Sequence, residues 1–76
     1  MLIRTYAERD GLQPRAEISI TPAESTNEST ARLMLDVCGD VNTYDVHGSD
    51  DVQAVELALT LLRTLELNEG LQLAAQ

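Results

Sequence analysis

The chain has no Phe, no Trp and no Lys, and only one Cys in 76 residues. Without the two largest apolar side chains, a core must come from Leu, Val, Ile, Ala and Met, so burial per residue is modest. With 43% hydrophobic residues there is material for one core and not for two. Stability on these terms is small unless a partner adds to it. A lone thiol, Cys38, excludes an internal disulfide, and the opening Met1 to Thr5 carries neither the apolar run nor the cleavage site of a secretory signal. A reducing cytosol is the expected setting. Glu56, Arg63 and Glu66 interrupt the only long apolar stretch, so a membrane-spanning helix is not expected either.

The absence of lysine leaves five arginines against 13 acids, a formal charge of -8. Direct nucleic-acid binding is disfavoured, since phosphate contacts need a basic surface. The imbalance is one-sided. Up to Arg32 there are five acids and four arginines, and beyond it eight acids and one arginine.

Two hairpins follow from the pattern. Asp10-Gly11 is a favoured two-residue turn, joining strands at about 1-9 and 12-20. Pairing outward from it sets Thr5 against Ala16, Ile3 against Ile18 and Met1 against Ile20 as the core face. Arg4 then faces Glu17 and Tyr6 faces Arg15 on a wet face. A second turn at Gly39-Asp40 joins strands at about 31-38 and 41-47, with Leu33, Leu35, Val37, Tyr44 and Val46 toward the core. Between the hairpins, residues 21-30 are rich in Ser, Thr, Asn and Glu without periodicity, which predicts a long solvated loop.

From Ser49 the period changes to 3.6. Asp50 and Gln53 have capping-box spacing, and a helix is predicted over about 50-67, stopping before Gly70, with 68-76 as a tail. Its apolar arc, from Val52 through Leu65 and including Ala54, Leu57 and Leu61, is wider than one sheet face covers. Either the tail folds back or a second copy packs there, which makes Leu57, Leu61, Leu71 and Leu73 the expected homodimer contact. The fold expected is α+β: a four-stranded antiparallel meander with one C-terminal helix on one face, ββββα.

The stretch Val46-His47-Gly48-Ser49-Asp50-Asp51-Val52-Gln53-Ala54-Val55-Glu56-Leu57-Ala58-Leu59 resembles the strand-to-helix signature of a family of short bacterial proteins of no known function. The resemblance implies that a strand, a Gly, an Asp and a Val-Gln-Ala lead into an apolar helix. It implies no site residues.

Several constellations merit weighing for chemistry. Cys38, Asp40, Asp45, His47, Asp50 and Asp51 gather metal-ligand types within fourteen residues. They lack paired Cys or His spacing, and the Asp40 to Asp45 segment lacks the Gly and closing Glu of a calcium loop. No metal or other cofactor is expected. A Cys38, His47, Asp45 triad fails on distance, since the predicted register separates Cys38 from His47 by about 20 Å. Asp36 and Asp45, diagonal neighbours in that register, lie on an open face where nothing shifts their pKa values for acid–base work. No phosphate loop or nucleophile elbow occurs, and no enzyme activity is expected.

What remains is acidity. Asp36, Asp45, Asp50 and Asp51 are the expected partner-binding residues of a small acidic protein-binding module, an antagonist of the anti-CRISPR or immunity-protein kind that docks on a basic, nucleic-acid-handling protein. The alternative is a homodimeric structural or accessory protein without catalytic activity.

Overall fold

The computed structural model describes residues 1-22 and 28-74. Four strands, β1 (Leu2–Thr5), β2 (Arg15–Pro22), β3 (Ser29–Val37) and β4 (Asp40–Gly48), form one antiparallel sheet in the order β1-β2-β3-β4. One helix, α1 (Asp51–Glu69), follows and packs on one face, so the architecture is ββββα, as the sequence predicts. Among the described residues no helix is long and apolar enough to cross a membrane.

The core lies where the sheet meets α1. Ala16, Ile18, Ala31, Leu33 and Leu35 from the strands meet Ala54, Ala58 and Leu62 from the helix, with Tyr6 buried beside them. The small residues matter: Ala54 and Ala58, at four-residue spacing, let the helix come close to the sheet. Contact is closest at Gly48, where an added Cβ would stand 2.4 Å from the Ala54 backbone N and 2.8 Å from its Cα. No side chain fits there.

Both ends of α1 are capped by local chemistry. The Asp50 carboxylate accepts the Gln53 N–H at 2.7 Å, and the Gln53 side chain accepts the Ser49 N–H at 2.6 Å. At the far end Gly70 takes φ +65, its N–H and that of Leu71 returning to the carbonyls of Leu67 and Glu66. Only Gly enters that conformation freely. The last turn of α1 holds no basic residue, and Arg9 supplies the missing positive charge from the first hairpin, donating to the carbonyls of Glu69 (2.7 Å) and Gly70 (3.1 Å).

The first hairpin departs from the predicted register. The Asp10-Gly11 turn forms, with Arg9 and Leu12 exchanging backbone hydrogen bonds, but the Tyr6 N–H donates to Pro14 O. Ala7 and Glu8 therefore stand opposite Gln13 alone, and this extra residue slips the ladder by one. Leu2 faces Ile18, Ile3 faces Glu17, Arg4 faces Ala16 and Thr5 faces Arg15. A one-residue slip exchanges the faces of a strand. Ile3 turns outward, and Arg4 and Tyr6 turn toward the helix side. The physical gain is Tyr6, which becomes 1% exposed and gives a core without Phe or Trp a fully buried aromatic ring.

The second hairpin keeps its faces and shifts by two. The turn residues are Cys38 and Gly39, at φ +54 and +92, rather than Gly39-Asp40. Leu33 thus faces Tyr44, and Arg32 comes opposite Asp45, forming a salt bridge at 2.9 Å. The Asp36 carboxylate accepts the Gly39 N–H at 3.0 Å and steadies the turn. The predicted loop is shorter than expected at both ends, because Thr21 and Pro22 pair with Thr30 and Ser29. Its residues 23-27 lie outside the described residues.

The tail folds back through Ala74. Ala7 N–H donates to Gln72 O, Ala74 N–H donates to Thr5 O, and Tyr6 bridges Leu73. Leu71 packs against the core. The described part of the tail thereby continues the sheet past β1 over Thr5 to Ala7.

Candidate functional site

Because α1 lies across β2, β3 and β4, β1 is reached from the helix only by long side chains. A groove results. Its apolar part, of about 210 Å3, is lined by Leu2, Ile3, Arg4, Ala16, Ile18, Leu59 and Leu62. Arg4 and Leu59 also line an adjoining cleft of about 520 Å3, together with Tyr6, Thr60, Arg63, Glu66, Leu71 and Leu73. The two are one depression with an apolar end and a polar end.

The polar end is organised around one carboxylate oxygen. Glu66 Oε2 accepts the Tyr6 hydroxyl at 2.6 Å and the Arg4 guanidinium at 2.9 Å. Burial pushes the Tyr6 phenol well above its ordinary range, and its hydrogen bond to Glu66 adds to the shift. For Glu66 burial works upward, but the hydrogen bonds from Tyr6 and Arg4 and the charges of Arg4 and Arg63 outweigh it, so its carboxyl is held below the usual range. The Arg4 guanidinium is raised by the hydrogen bond to Glu66. A neutral phenol, two cations and one anion leave this end with a surplus positive charge. Arg63 is exposed and makes no hydrogen bond or salt bridge among the described residues.

The sequence-predicted site residues fall elsewhere. Asp45, on the open sheet face, pairs with Arg32, which lowers its carboxyl pKa. Asp36, at the hairpin turn, is four ladder positions from Arg32, about 13 Å at the usual rise, so Asp36 and Asp45 are not diagonal neighbours. Asp50 caps the helix, and Asp51 accepts the Ser29 hydroxyl at the opposite end of β3, about 23 Å from Asp36. The four aspartates are therefore spread along the molecule, and Asp36, Asp45, Asp50 and Asp51 each hold a local contact.

The four leucines divide between two edges. Leu71 and Leu73 line the cleft beside β1. Leu59 lines the same groove, and at 100° per residue Leu57 projects to the opposite flank, toward β4, with Leu61 half-buried nearer the core. Leu57 is 43% exposed.

Cys38 and His47 are at opposite ends of the second hairpin. The Cys38 thiol donates to Arg9 O at 3.4 Å, whereas His47 Nδ1 is 3.0 Å from the Thr30 hydroxyl. From Val37 to Thr30 the ladder runs seven positions, about 23 Å, so no dyad forms. Among the described residues no group of three His, Cys, Asp or Glu side chains is placed to hold a metal.

Sequence reasoning missed Arg4, Tyr6 and Glu66. The signal present was the two-residue spacing of Arg4 and Tyr6, which puts both on one face; the assumed register turned that face to water. Comparison of the chain with family models, curated proteins and solved structures gives no match.

Proposed function

We propose that the chain is a non-catalytic protein-binding module that docks on a basic protein in the cytosol. Its sharper form is an antagonist of the anti-CRISPR or immunity-protein kind, competing with nucleic acid for that protein. The observation that carries the reading is how the arginines are engaged. Arg4, Arg15 and Arg32 lie in salt bridges with Glu66, Glu17 and Asp45, and Arg9 lies on the helix carbonyls. Glu8, Asp10, Asp40, Glu56 and Glu69 are exposed, with no salt bridge among the described residues. No salt bridge neutralises them, and a net negative field of this kind accelerates association with a positive surface. Asp36, Asp50 and Asp51 add to this field from their structural positions, and Asp45 is offset by its salt bridge to Arg32.

Asp40 and Glu56 test the reading best, because neither side chain forms a salt bridge or hydrogen bond among the described residues. Partner capture at low and high salt, followed by on-rates for Asp40→Lys with Glu56→Lys, is expected to show binding that weakens with both salt and reversal. Indifference to both would make the charge a solubility device. The homodimer reading would then lead.

One observation favours that second reading. β4 ends the strand order with one side unpaired among the described residues, and the half-exposed Leu57 projects toward it. A second copy covering this flank would bury Leu57 and Leu61. Sedimentation at increasing concentration is expected to show a dimer that Leu57→Asp dissociates, and a monomer throughout would remove the reading.

A further inference from the structure

We propose that the groove between β1 and α1 binds the C-terminal end of a partner polypeptide, its terminal carboxylate on Arg63 and Arg4 and its aliphatic side chains over Ile18, Leu59 and Leu62. This inference rests on the protein-binding reading and names the part of the partner that is held.

Charge complementarity is the first argument. In a chain of formal charge -8, the polar end of the groove gathers two arginines around a single carboxylate. Arg4 uses Nη1 for Glu66, and a guanidinium carries five N–H donors in a rigid fork, so it keeps donors for a second acceptor. Arg63 has its whole fork available among the described residues. Two guanidinium groups around one internal carboxylate leave a surplus positive charge, which suits a second carboxylate, an acceptor of paired N–H donors.

The backbone supplies the second argument. β1 lies at the sheet edge, and the described part of the tail, through Ala74, covers that edge at Thr5 to Ala7. Among the described residues the outer edge of Leu2 to Arg4 has no strand partner, directly beside the groove. An extended segment added there would send alternate side chains into the apolar end, whose floor of Ala16, Ile18 and Leu62 is 2–3% exposed. The apolar volume, about 210 Å3, suits two aliphatic side chains. A polypeptide terminus offers both features in one piece: a ladder-forming backbone and a carboxylate at its end.

The probe is a heptapeptide with a fluorescent N-terminal label, upstream lysines, and Val or Leu at its last and third-from-last positions, made as free acid and as C-terminal amide. Anisotropy titrations use the full chain, Arg63→Gln, Leu59→Asp, and Arg15→Gln as a control on the outer sheet face. The free acid is expected to bind about tenfold more tightly than the amide, the scale of a charge-assisted fork. Arg63→Gln is expected to remove that difference and Leu59→Asp to weaken both peptides, while Arg15→Gln changes nothing.

Equal binding of acid and amide to the unaltered chain would overturn the inference. So would an acid preference that survives Arg63→Gln, no binding of either peptide, or binding of decanoate in place of the peptides. Running the Asp40→Lys with Glu56→Lys variant in parallel separates the two readings. Loss of the carboxylate effect with salt-dependent partner capture intact removes the groove assignment alone, and the reverse removes the electrostatic docking and leaves the groove.

Discussion

Gly48→Ala tests the junction on which the fold turns. The added Cβ would be 2.4 Å from Ala54 N, 2.8 Å from Ala54 Cα and 2.9 Å from Gln53 C, all backbone atoms, so no side chain can rotate away. Relief requires the first turn of α1 to recede by about 1 Å from the sheet, against a core that is close-packed. Receding loosens the Asp50 cap and the contact of Ala54, which is 0% exposed. Overpacking of this kind costs about 3 kcal/mol, the upper end of the ordinary range. A domain of this size has a total stability of roughly 4–11 kcal/mol, so the loss is a large share. Urea titration should show a lower midpoint with little change in slope, and thermal melting a drop of about 12–24 °C. Gly39→Ala is the comparison, since there φ is +92 with nothing within 4 Å and the cost is the backbone penalty alone, about 1 kcal/mol. A Gly48→Ala protein within about 0.5 kcal/mol of the parent would refute the close-approach argument.

Three further outcomes follow from the same contacts. Asp50→Ala is expected to cost about 1 kcal/mol in urea titration, through loss of the bond to the Gln53 N–H. Because the Glu66 pKa is lower in the folded chain, its stabilisation is complete above the unfolded-state value of 4.5 and is lost as pH falls through the folded value; Glu66→Gln should flatten that acid limb. The Tyr6 phenol is shifted upward, so the unfolded chain ionises first and stability should decline as pH rises above 10.0, a decline that Tyr6→Phe removes.

The order of elements was legible because periodicity and turn chemistry are local. Asp10-Gly11 gave its turn correctly, and Asp50, Gln53 and Gly70 marked both ends of α1. The family-like stretch is legible too in physical terms: Gly48 admits the helix backbone, Asp50 and Gln53 cap it, and Ala54 is buried. Registers were less legible, because they depend on partners far along the chain. The slip in the first hairpin is settled by burial of Tyr6 and by hydrogen bonds to a tail more than sixty residues away, neither of which an alternation pattern encodes. The shift in the second hairpin turned on Cys38 accepting φ +54, whereas the sequence argument placed Gly39 first in the turn. The site failed with the register: once Arg4 and Tyr6 were assigned to the wet face, their meeting with Glu66 could not be foreseen.

The return of the tail to β1 also bears on the order of events during synthesis. Tyr6 finds its hydroxyl acceptor on Glu66, its bridge on Leu73, and its neighbour Ala7 an acceptor on Gln72. All three emerge from the ribosome some sixty residues after β1 does. Until then the second hairpin, closed by the short Cys38-Gly39 turn, is free to form, while β1 has only its pairing with β2. Contacts of such long sequence separation form late and slowly, since the chain must first surrender the entropy of closing a large loop. The first strand made is thus the last to be secured, and a nascent chain halted before Glu66 would present Tyr6 and the backbone edge of Thr5 to Ala7 to whatever chaperone or neighbouring strand it meets.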